Sequence, residues 1–147
     1  MAGSTEMKLV FRLDGIGFSL SVNLLVEIVQ LNNKPRVSRK KDAPPWPLAE
    51  FRNESIPVVD LGSFFNLSAP VDEGELTMLV LHGELGHWGT LVSAIEGVRP
   101  NSEFNEQTLS PLFSLGGESL YDNIDIWRGE PLIRLDPDRF APRGDTP

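Results

Sequence analysis

The stretch LVFRLDGIGFSLSV, residues 9–22, decides the fold class of this chain. Apolar residues stand at every second position on both sides of a turn at residues 14–17, where Asp14 and two glycines interrupt the pattern. Alternation with a period of two is typical of a β-strand that buries one face, and Asp and Gly favour tight turns between strands. The stretch therefore predicts a β-hairpin with one buried face.

Strand patterns of the same kind occupy most of the remaining chain. A strand is predicted over residues 26–31, with Ile28 on its buried face, and three more hairpins follow. No helical pattern is longer than two turns, and no repeat of fixed period is visible. About seven to nine strands with short turns predict an all-β barrel or sandwich rather than βαβ units. The predicted hairpins pair residues 48–52 with 55–61, 75–81 with 88–92, and 120–127 with 131–135, and loops are predicted at 32–47 and 101–118.

Three polar residues are predicted to shape the connections. Asn23 is a candidate cap for a single helical turn, and Asp60 for a short helix over residues 62–67, since both side chains can accept backbone N–H groups. Asn53 tolerates a positive φ, which places the turn of the second hairpin at Asn53-Glu54.

The composition indicates a single globular domain. The chain has 147 residues, of which 40% are hydrophobic and 23% charged, and a domain of this size removes about two thirds of its unfolded surface from water. Because there is no cysteine, disulfides and thiolate chemistry are excluded. No segment approaches the roughly 20 apolar residues that cross a bilayer, and residues 1–6 lack the pattern of a secretory signal. A cytosolic location without membrane insertion is expected.

The net charge of −8 argues against non-specific nucleic-acid binding, because a phosphate backbone must be met by a basic face. One local exception gathers five of the thirteen basic residues into eight positions. This cluster is either a solvated loop or a docking patch for an acidic partner. It consists of Lys34, Arg36, Arg39, Lys40 and Lys41.

The segment from His82 to His87 places two histidines and Glu84 around one predicted turn. Its spacing differs from that of the zincin motif, in which the histidines share one helical face. We interpret both as solvated turn residues; a stray metal site at the hairpin tip and an uncharacterised hydrolase are the alternatives. Neither a nucleophile elbow nor a dinucleotide or phosphate loop is present, so neither an enzyme nor a cofactor is expected.

Three stretches, taken in order, resemble the CheW-like domain of chemotaxis coupling proteins. Residues 9–29 are similar to the family's opening hairpin and following strand. Residues 51–61, FRNESIPVVDL, resemble its Asn-Leu-Arg-Gly segment and Pro-Val-Val-Asp-Leu strand, and are the most specific match. Residues 89–98, GTLVSAIEGV, are close to its Gly-Leu-Val-Val-Asp-x-Val-x-x-Val pattern, and residues 132–136 match its closing strand.

The resemblance implies two small five-stranded barrels that share one core, in a single domain over residues 7–141 with flexible termini at 1–6 and 142–147. It also implies a non-catalytic adaptor that couples the cytoplasmic tip of a chemoreceptor to a CheA-type histidine kinase, in the cytoplasm or at receptor arrays on the inner membrane. The sequence has Glu50, Asn53 and Ser93 where the family has Asn, Gly and Asp. Ser93 puts in doubt any contact that needs a carboxylate there.

Five residues match positions at which the family binds its partners. Arg52 matches the signature arginine, whose planar guanidinium at a strand end can offer several donors to a partner. Leu25 and Glu27 match positions on the first barrel, and Ile95 and Val98 match apolar positions on the second. Without the resemblance, Arg52 is better explained as an arginine that only solvates a strand end. Each of the other four is equally well explained as ordinary core or surface.

A rival hypothesis keeps the fold and changes the function. The departures at Asn53 and Ser93 are also compatible with a sensing or scaffold domain detached from chemotaxis. In that hypothesis the loop over residues 101–118 acts as a lid on the second barrel.

Overall fold

The computed structural model describes residues 6–32, 35–37, 47–68, 76–109 and 120–142. Twelve β-strands run through these ranges, and none of the short helical turns between them has the length or apolar character needed to cross a bilayer. The strands are β1 (Met7–Leu13), β2 (Ile16–Ser21), β3 (Leu25–Leu31), β4 (Arg36–Val37), β5 (Pro47–Phe51), β6 (Glu54–Val59), β7 (Leu76–Gly83), β8 (Gly86–Val92), β9 (Ala94–Pro100), β10 (Phe104–Thr108), β11 (Asn123–Trp127) and β12 (Glu130–Arg134).

The strands form two curled six-stranded sheets. Sheet A has the order β10-β11-β12-β2-β1-β9, and sheet B has the order β3-β7-β8-β6-β5-β4. The all-β prediction is confirmed, and the four predicted hairpins are present as β1–β2, β5–β6, β7–β8 and β11–β12. The sheets form two barrel-like subdomains, each with one strand more than the five expected, because short β4 and β10 pair onto the outer hairpins.

The chain crosses between the sheets twice, at β3 and at β9. β3 follows the β1–β2 hairpin of sheet A but pairs with β7 of sheet B. β9 follows the β7–β8 hairpin of sheet B but pairs with β1 of sheet A. Each pairing contains one register shift, at Val26 in β3 and at Glu96 in β9.

No repeat is visible in the sequence, yet the topology is a duplication. β1–β6 and β7–β12 follow the same course, in which a first hairpin enters one sheet and the next four strands enter the other. Leu9 and Leu79, like Phe18 and Trp88, occupy equivalent buried positions 70 residues apart. The sequence does not show this repeat, because the two halves share buried apolar positions and not long stretches of identical residues.

Both sheets contribute to the largest core. Phe11 and Phe18 of sheet A stack with ring centroids 5.3 Å apart and pack in one buried cluster with Leu81 and Trp88 of sheet B. Each sheet also encloses a smaller apolar cluster of its own. The expected shared core is therefore present between the barrels.

The first hairpin buries both faces, whereas the sequence predicted one. Leu9 and Phe11 pack into the shared core, but Lys8, Val10 and Ser19 are buried as well. The reason is that the second face of the curled sheet A lines the interior of its own barrel.

Lys8 and Asp125 form an ion pair inside this barrel. Lys8 Nζ donates to both Asp125 oxygens at 3.0 Å, and Ser19 Oγ donates to Oδ2 at 2.6 Å. The two charged side chains are only 3% and 0% exposed. Because β12 and β2 separate β11 from β1 in sheet A, the pair crosses the interior and joins distant strands of the curled sheet.

Three local predictions were wrong. The turn of the second hairpin lies at Arg52-Asn53, not Asn53-Glu54, because those two residues have positive φ values of 49° and 66° and form the two-residue turn that matches strand twist. Asn23 lies within the 3₁₀ turn Val22–Leu24 and does not cap it. Asp60 precedes the predicted short helix, present as Leu61–Phe65, but only its backbone oxygen accepts bonds, from Ser63 N–H and Oγ.

The predicted loop over residues 101–118 was wrong in its first part. Residues 104–108 form β10, which pairs with β11, so this part is a strand rather than a lid. Residues 110–119 lie outside the described residues, as do residues 1–5 and 143–147 and most of the basic cluster, namely Lys34 and residues 39–41.

Lys8→Met is expected to lower the free energy of unfolding by about 3–5 kcal/mol, because it leaves the Asp125 carboxylate buried without its cation. Urea denaturation followed by tryptophan fluorescence measures this loss. The double variant Lys8→Met/Asp125→Leu removes both charges and is expected to recover most of it. A loss below about 1 kcal/mol in the single variant, the range of exposed pairs, would contradict this role.

Candidate partner-binding site

The tip of the β5–β6 hairpin presents Arg52 to solvent. Its guanidinium lies over the Phe51 ring, 4.7 Å from the centroid, and Nη2 donates to Glu27 Oε1 at 2.8 Å. The Arg52 side chain is 61% exposed and that of Glu27 is 45% exposed. The ring and the carboxylate thus hold the guanidinium in place while its remaining donors face solvent.

β3 supplies the other two residues predicted for the first barrel. Glu27 is exposed and paired with Arg52, although 25 residues separate them in the chain. Leu25, two residues earlier on the same strand, is half-buried and packs against the shared core. The structure therefore brings Arg52 and Glu27 together at the surface and turns Leu25 inward.

Two exposed aliphatic residues, Ile28 on β3 and Leu24 just before it in the lining of a cleft next to β11 and β12, were missed by the sequence prediction. Ile28 was expected on the buried face but is 37% exposed, and Leu24 before β3 is 47% exposed. The register shift at Val26 changes the alternation of the strand, so Val29 packs inward in place of Ile28. No local pattern in the sequence marks such a bulge.

Ile95 and Val98 lie on β9 of sheet A rather than with Arg52 in sheet B. Ile95 is half-buried against the shared core, whereas Val98 is 43% exposed. Within the described residues, β9 is an outer strand of sheet A, with β10 at the opposite edge, and β3 is an outer strand of sheet B, with β4 at the opposite edge. Val98 and Ile28 occupy equivalent positions 70 residues apart, so β9 and β3 each present an exposed aliphatic side chain.

His82 and His87 support the Arg52 hairpin. His87 Nδ1 lies 2.9 Å from Glu54 Oε1, and its ring packs edge-on against Phe51 with centroids 5.4 Å apart. The His82 ring contacts that of His87 at 5.8 Å. Across the described ranges, no three metal-ligating side chains are grouped together. The carboxylate partner of His87, which the sequence did not reveal, therefore anchors a hairpin.

A polar cleft of about 290 Å³ lies beside β11 and β12. Its arginines are matched by carboxylates of the same chain, since Arg139 pairs with Asp122 and Asp136, and Arg134 pairs with Glu106. The lining therefore has little unbalanced charge with which to bind a small ligand, and it gives the sensing hypothesis no support.

Arg12 connects the β11–β12 hairpin to β9. Its Nη2 donates to Glu130 Oε1 at 2.7 Å, its Nη1 donates to Oε2, and its Nε lies 3.6 Å from Glu96 Oε1. The hydrogen bond from Arg12 holds the pKa of Glu130 below its ordinary value of 4.5, against the smaller opposing effect of burial. Arg12 is therefore the charged link between this hairpin and the outer strand of sheet A.

Ser93, at the position where the family has Asp, lies between β8 and β9 and bonds to the β1–β2 hairpin. Its Oγ accepts the Asp14 N–H at 3.1 Å, and its own N–H donates to the Arg12 oxygen at 2.8 Å. Only the bond from Asp14 involves the Ser93 side chain, and a neutral hydroxyl is sufficient to accept it. The departure from the family pattern is therefore compatible with the fold.

Comparison with known proteins yields one family and one fold. Residues 8–143 match the family model described as the CheW-like domain. The crystal structure of the scaffolding protein TtCheW from Thermoanaerobacter tengcongensis is similar, with a TM-score of 0.67 and 16% identity over 90% of this chain and 90% of that chain. At this identity the likeness shows the fold alone. No curated protein sequence matches the chain.

Glu130→Gln is expected to destabilise the protein near neutral pH but much less in acid. The pKa of Glu130 is lowered in the folded state, so the carboxylate adds stability above its ordinary value of 4.5 and loses it as the pH falls through the lowered folded value. The difference in unfolding free energy between wild type and variant, measured in urea from about pH 7 to about pH 3, should shrink on acidification. A difference that stays constant with pH would contradict the Arg12–Glu130 link.

Proposed function

This chain belongs to the CheW-like domain family, and on that premise we propose that it couples the cytoplasmic tip of a chemoreceptor to a CheA-type histidine kinase. The chain is a non-catalytic adaptor or scaffold of chemotactic signal transduction. Such a protein works by binding two proteins at once, so its surfaces carry the function. It would act in the cytoplasm, recruited to receptor arrays at the inner membrane, without inserting into the bilayer.

The exposed guanidinium of Arg52 carries this proposal. An exposed ion pair such as Arg52–Glu27 contributes only about 0–1 kcal/mol, while a non-glycine residue in the left-handed region costs roughly 1–2 kcal/mol. Arg52 adopts that region, with φ 49°. Its contact with the Phe51 ring adds about 0.5–1 kcal/mol. The two contacts together are therefore similar in size to the backbone strain, and stability does not explain an arginine at this position.

The arrangement also suits binding. Because the Phe51 ring and Glu27 already hold Arg52, a partner loses less side-chain entropy on contact. Ile28 is an exposed aliphatic residue of the same strand as Glu27, and protein interfaces typically combine aliphatic groups with an arginine. One partner would dock on β3 and the β5–β6 tip.

The second partner would dock on the outer strand of sheet A. Val98 on β9 is exposed and Ile95 is half-buried beneath the same edge. Like Leu25 on β3, Ile95 would support its strand from the core side while the neighbouring exposed side chain makes the contact. Two docking strands in different sheets allow both partners to bind together.

Arg52→Glu is expected to weaken the binding of one partner by about 10- to 30-fold, because a central interface arginine is typically worth about 2 kcal/mol. Titration calorimetry of the full chain against the kinase regulatory domain, and separately against a receptor-tip fragment, measures this effect. Unchanged binding of both partners by the folded variant would contradict the proposal, as would a wild-type chain that binds neither.

The charge-swapped variant Glu27→Arg/Arg52→Glu is the matched control. It restores the ion pair in reversed order, so a purely structural Arg52–Glu27 contact would recover wild-type binding. If Arg52 itself contacts the partner, the swapped protein should keep its thermal stability and remain defective in binding. Recovery of binding would assign the pair to structure alone.

Val98→Arg is expected to weaken the other partner by at least about tenfold, because a charge on a docking strand is desolvated in the complex. Leu85→Arg serves as the control, since Leu85 is 66% exposed at the β7–β8 turn and outside both proposed surfaces. The same two titrations report the result. Equal effects of the two substitutions would exclude β9 as a specific docking strand.

A further inference from the structure

The tip of the β11–β12 hairpin has the same pattern as the Arg52 tip, with an aromatic residue, an arginine, a turn residue and a glutamate in that order. Residues 51–54 read Phe-Arg-Asn-Glu, and residues 127–130 read Trp-Arg-Gly-Glu. In both turns the two central residues have positive φ values, 49° and 66° in the first and 52° and 81° in the second. In both, the guanidinium lies over the preceding ring, 4.7 Å from its centroid for Arg52 and 4.5 Å for Arg128.

The backbone of this turn does not favour an arginine. Asn, Asp or Gly is preferred at the first central position of a two-residue hairpin turn with positive φ, and Arg128 holds that position with φ 52°. Residues kept in a strained backbone region concentrate at functional sites. Turn geometry therefore explains Gly129 but leaves Arg128 unexplained.

Ion pairing within the chain does not explain Arg128 either. In sheet B, Arg52 itself connects the hairpin tip to the outer strand β3 through Glu27. In sheet A, Arg12 makes the equivalent connection, from Glu130 to Glu96 on β9. Arg128 is thereby released from a linking role, and among the described residues it forms no hydrogen bond or ion pair.

The carboxylates around Arg128 are already engaged by other groups. Glu103, which lies near Arg128, accepts hydrogen bonds from Arg99 Nε at 3.0 Å and from Trp127 Nε1 at 3.1 Å. Glu130 and Glu96 are paired with Arg12. Phe104 stacks on Trp127 at 6.2 Å and supports the ring beneath Arg128.

We propose that Arg128 is a second docking arginine, which binds an aspartate or glutamate carboxylate of a protein partner at the β11–β12 tip, independently of Arg52. The planar guanidinium can bind a carboxylate through two parallel hydrogen bonds, and the Trp127 ring fixes its orientation beforehand. The identity of the partner as one of the two coupled proteins rests on the proposed function; the carboxylate site itself does not.

The first test uses the full chain and a simple acidic probe, the peptide acetyl-Asp-Glu-Asp-Glu-amide. In nitrogen-15 NMR spectra the Arg128 Nε–H and Trp127 indole resonances should shift saturably with peptide, and not with sodium chloride at the same ionic strength. Arg128→Gln should abolish the Trp127 shift. Gln107→Glu, which changes the net charge by the same amount on exposed β10, should retain it. Unshifted resonances, or equal shifts in both variants, would overturn the site.

The second test repeats the two partner titrations with Arg128→Gln. Binding of one partner should weaken at least about tenfold, and this partner should differ from the one weakened by Arg52→Glu. Loss of the same partner in both variants, or of neither, would overturn an independent docking role. If the wild-type chain binds neither partner but the peptide still shifts Trp127, the coupling function fails and the carboxylate site stands.

Discussion

The chain crosses between its two sheets at β3 and again at β9, and the rest of the structure depends on this exchange. Each crossing strand pairs with the first hairpin of the other half of the chain, so the inward faces of both hairpins meet in one core. Phe18 and Trp88 occupy equivalent places there. Neither half forms a six-stranded sheet alone, and the shared core therefore binds the barrels into one unit.

The same exchange positions the candidate surfaces. β3 and β9 lie at the outer edges of their sheets within the described residues, and each is connected by charged groups to the nearest hairpin tip. Sheet B uses Arg52 with Glu27, whereas sheet A uses Arg12 with Glu130 and Glu96. Arg52 is therefore partly engaged by Glu27. Because Arg12 makes the connection in sheet A, Arg128 forms no intramolecular ion pair among the described residues.

A duplicated fold suits an adaptor for a physical reason. A single interface can bind one partner, whereas two equivalent tips and two outer strands in different sheets would provide the proposed partners with separate surfaces on one molecule. The interior differs between the halves: sheet A contains the buried Lys8–Asp125 pair, whereas sheet B has buried Met78 at the position 70 residues after Lys8. Removal of one partner of a buried pair is costly, so Lys8 and Asp125 favour this one arrangement of β1 and β11 over alternatives.

The sequence by itself determined the fold class, the four hairpins and the family resemblance, because strand alternation and turn residues act over a few neighbouring positions. Tertiary structure alone decided which strands pair. It also decided that the second face of the β1–β2 hairpin, with Lys8 and Ser19, is buried, and that the bulge at Val26 exposes Ile28. It also decided that Arg52 pairs with Glu27 and that Arg128 forms no hydrogen bond or ion pair among the described residues. These outcomes depend on contacts between residues far apart in the chain, and a pattern with a period of two does not specify such contacts.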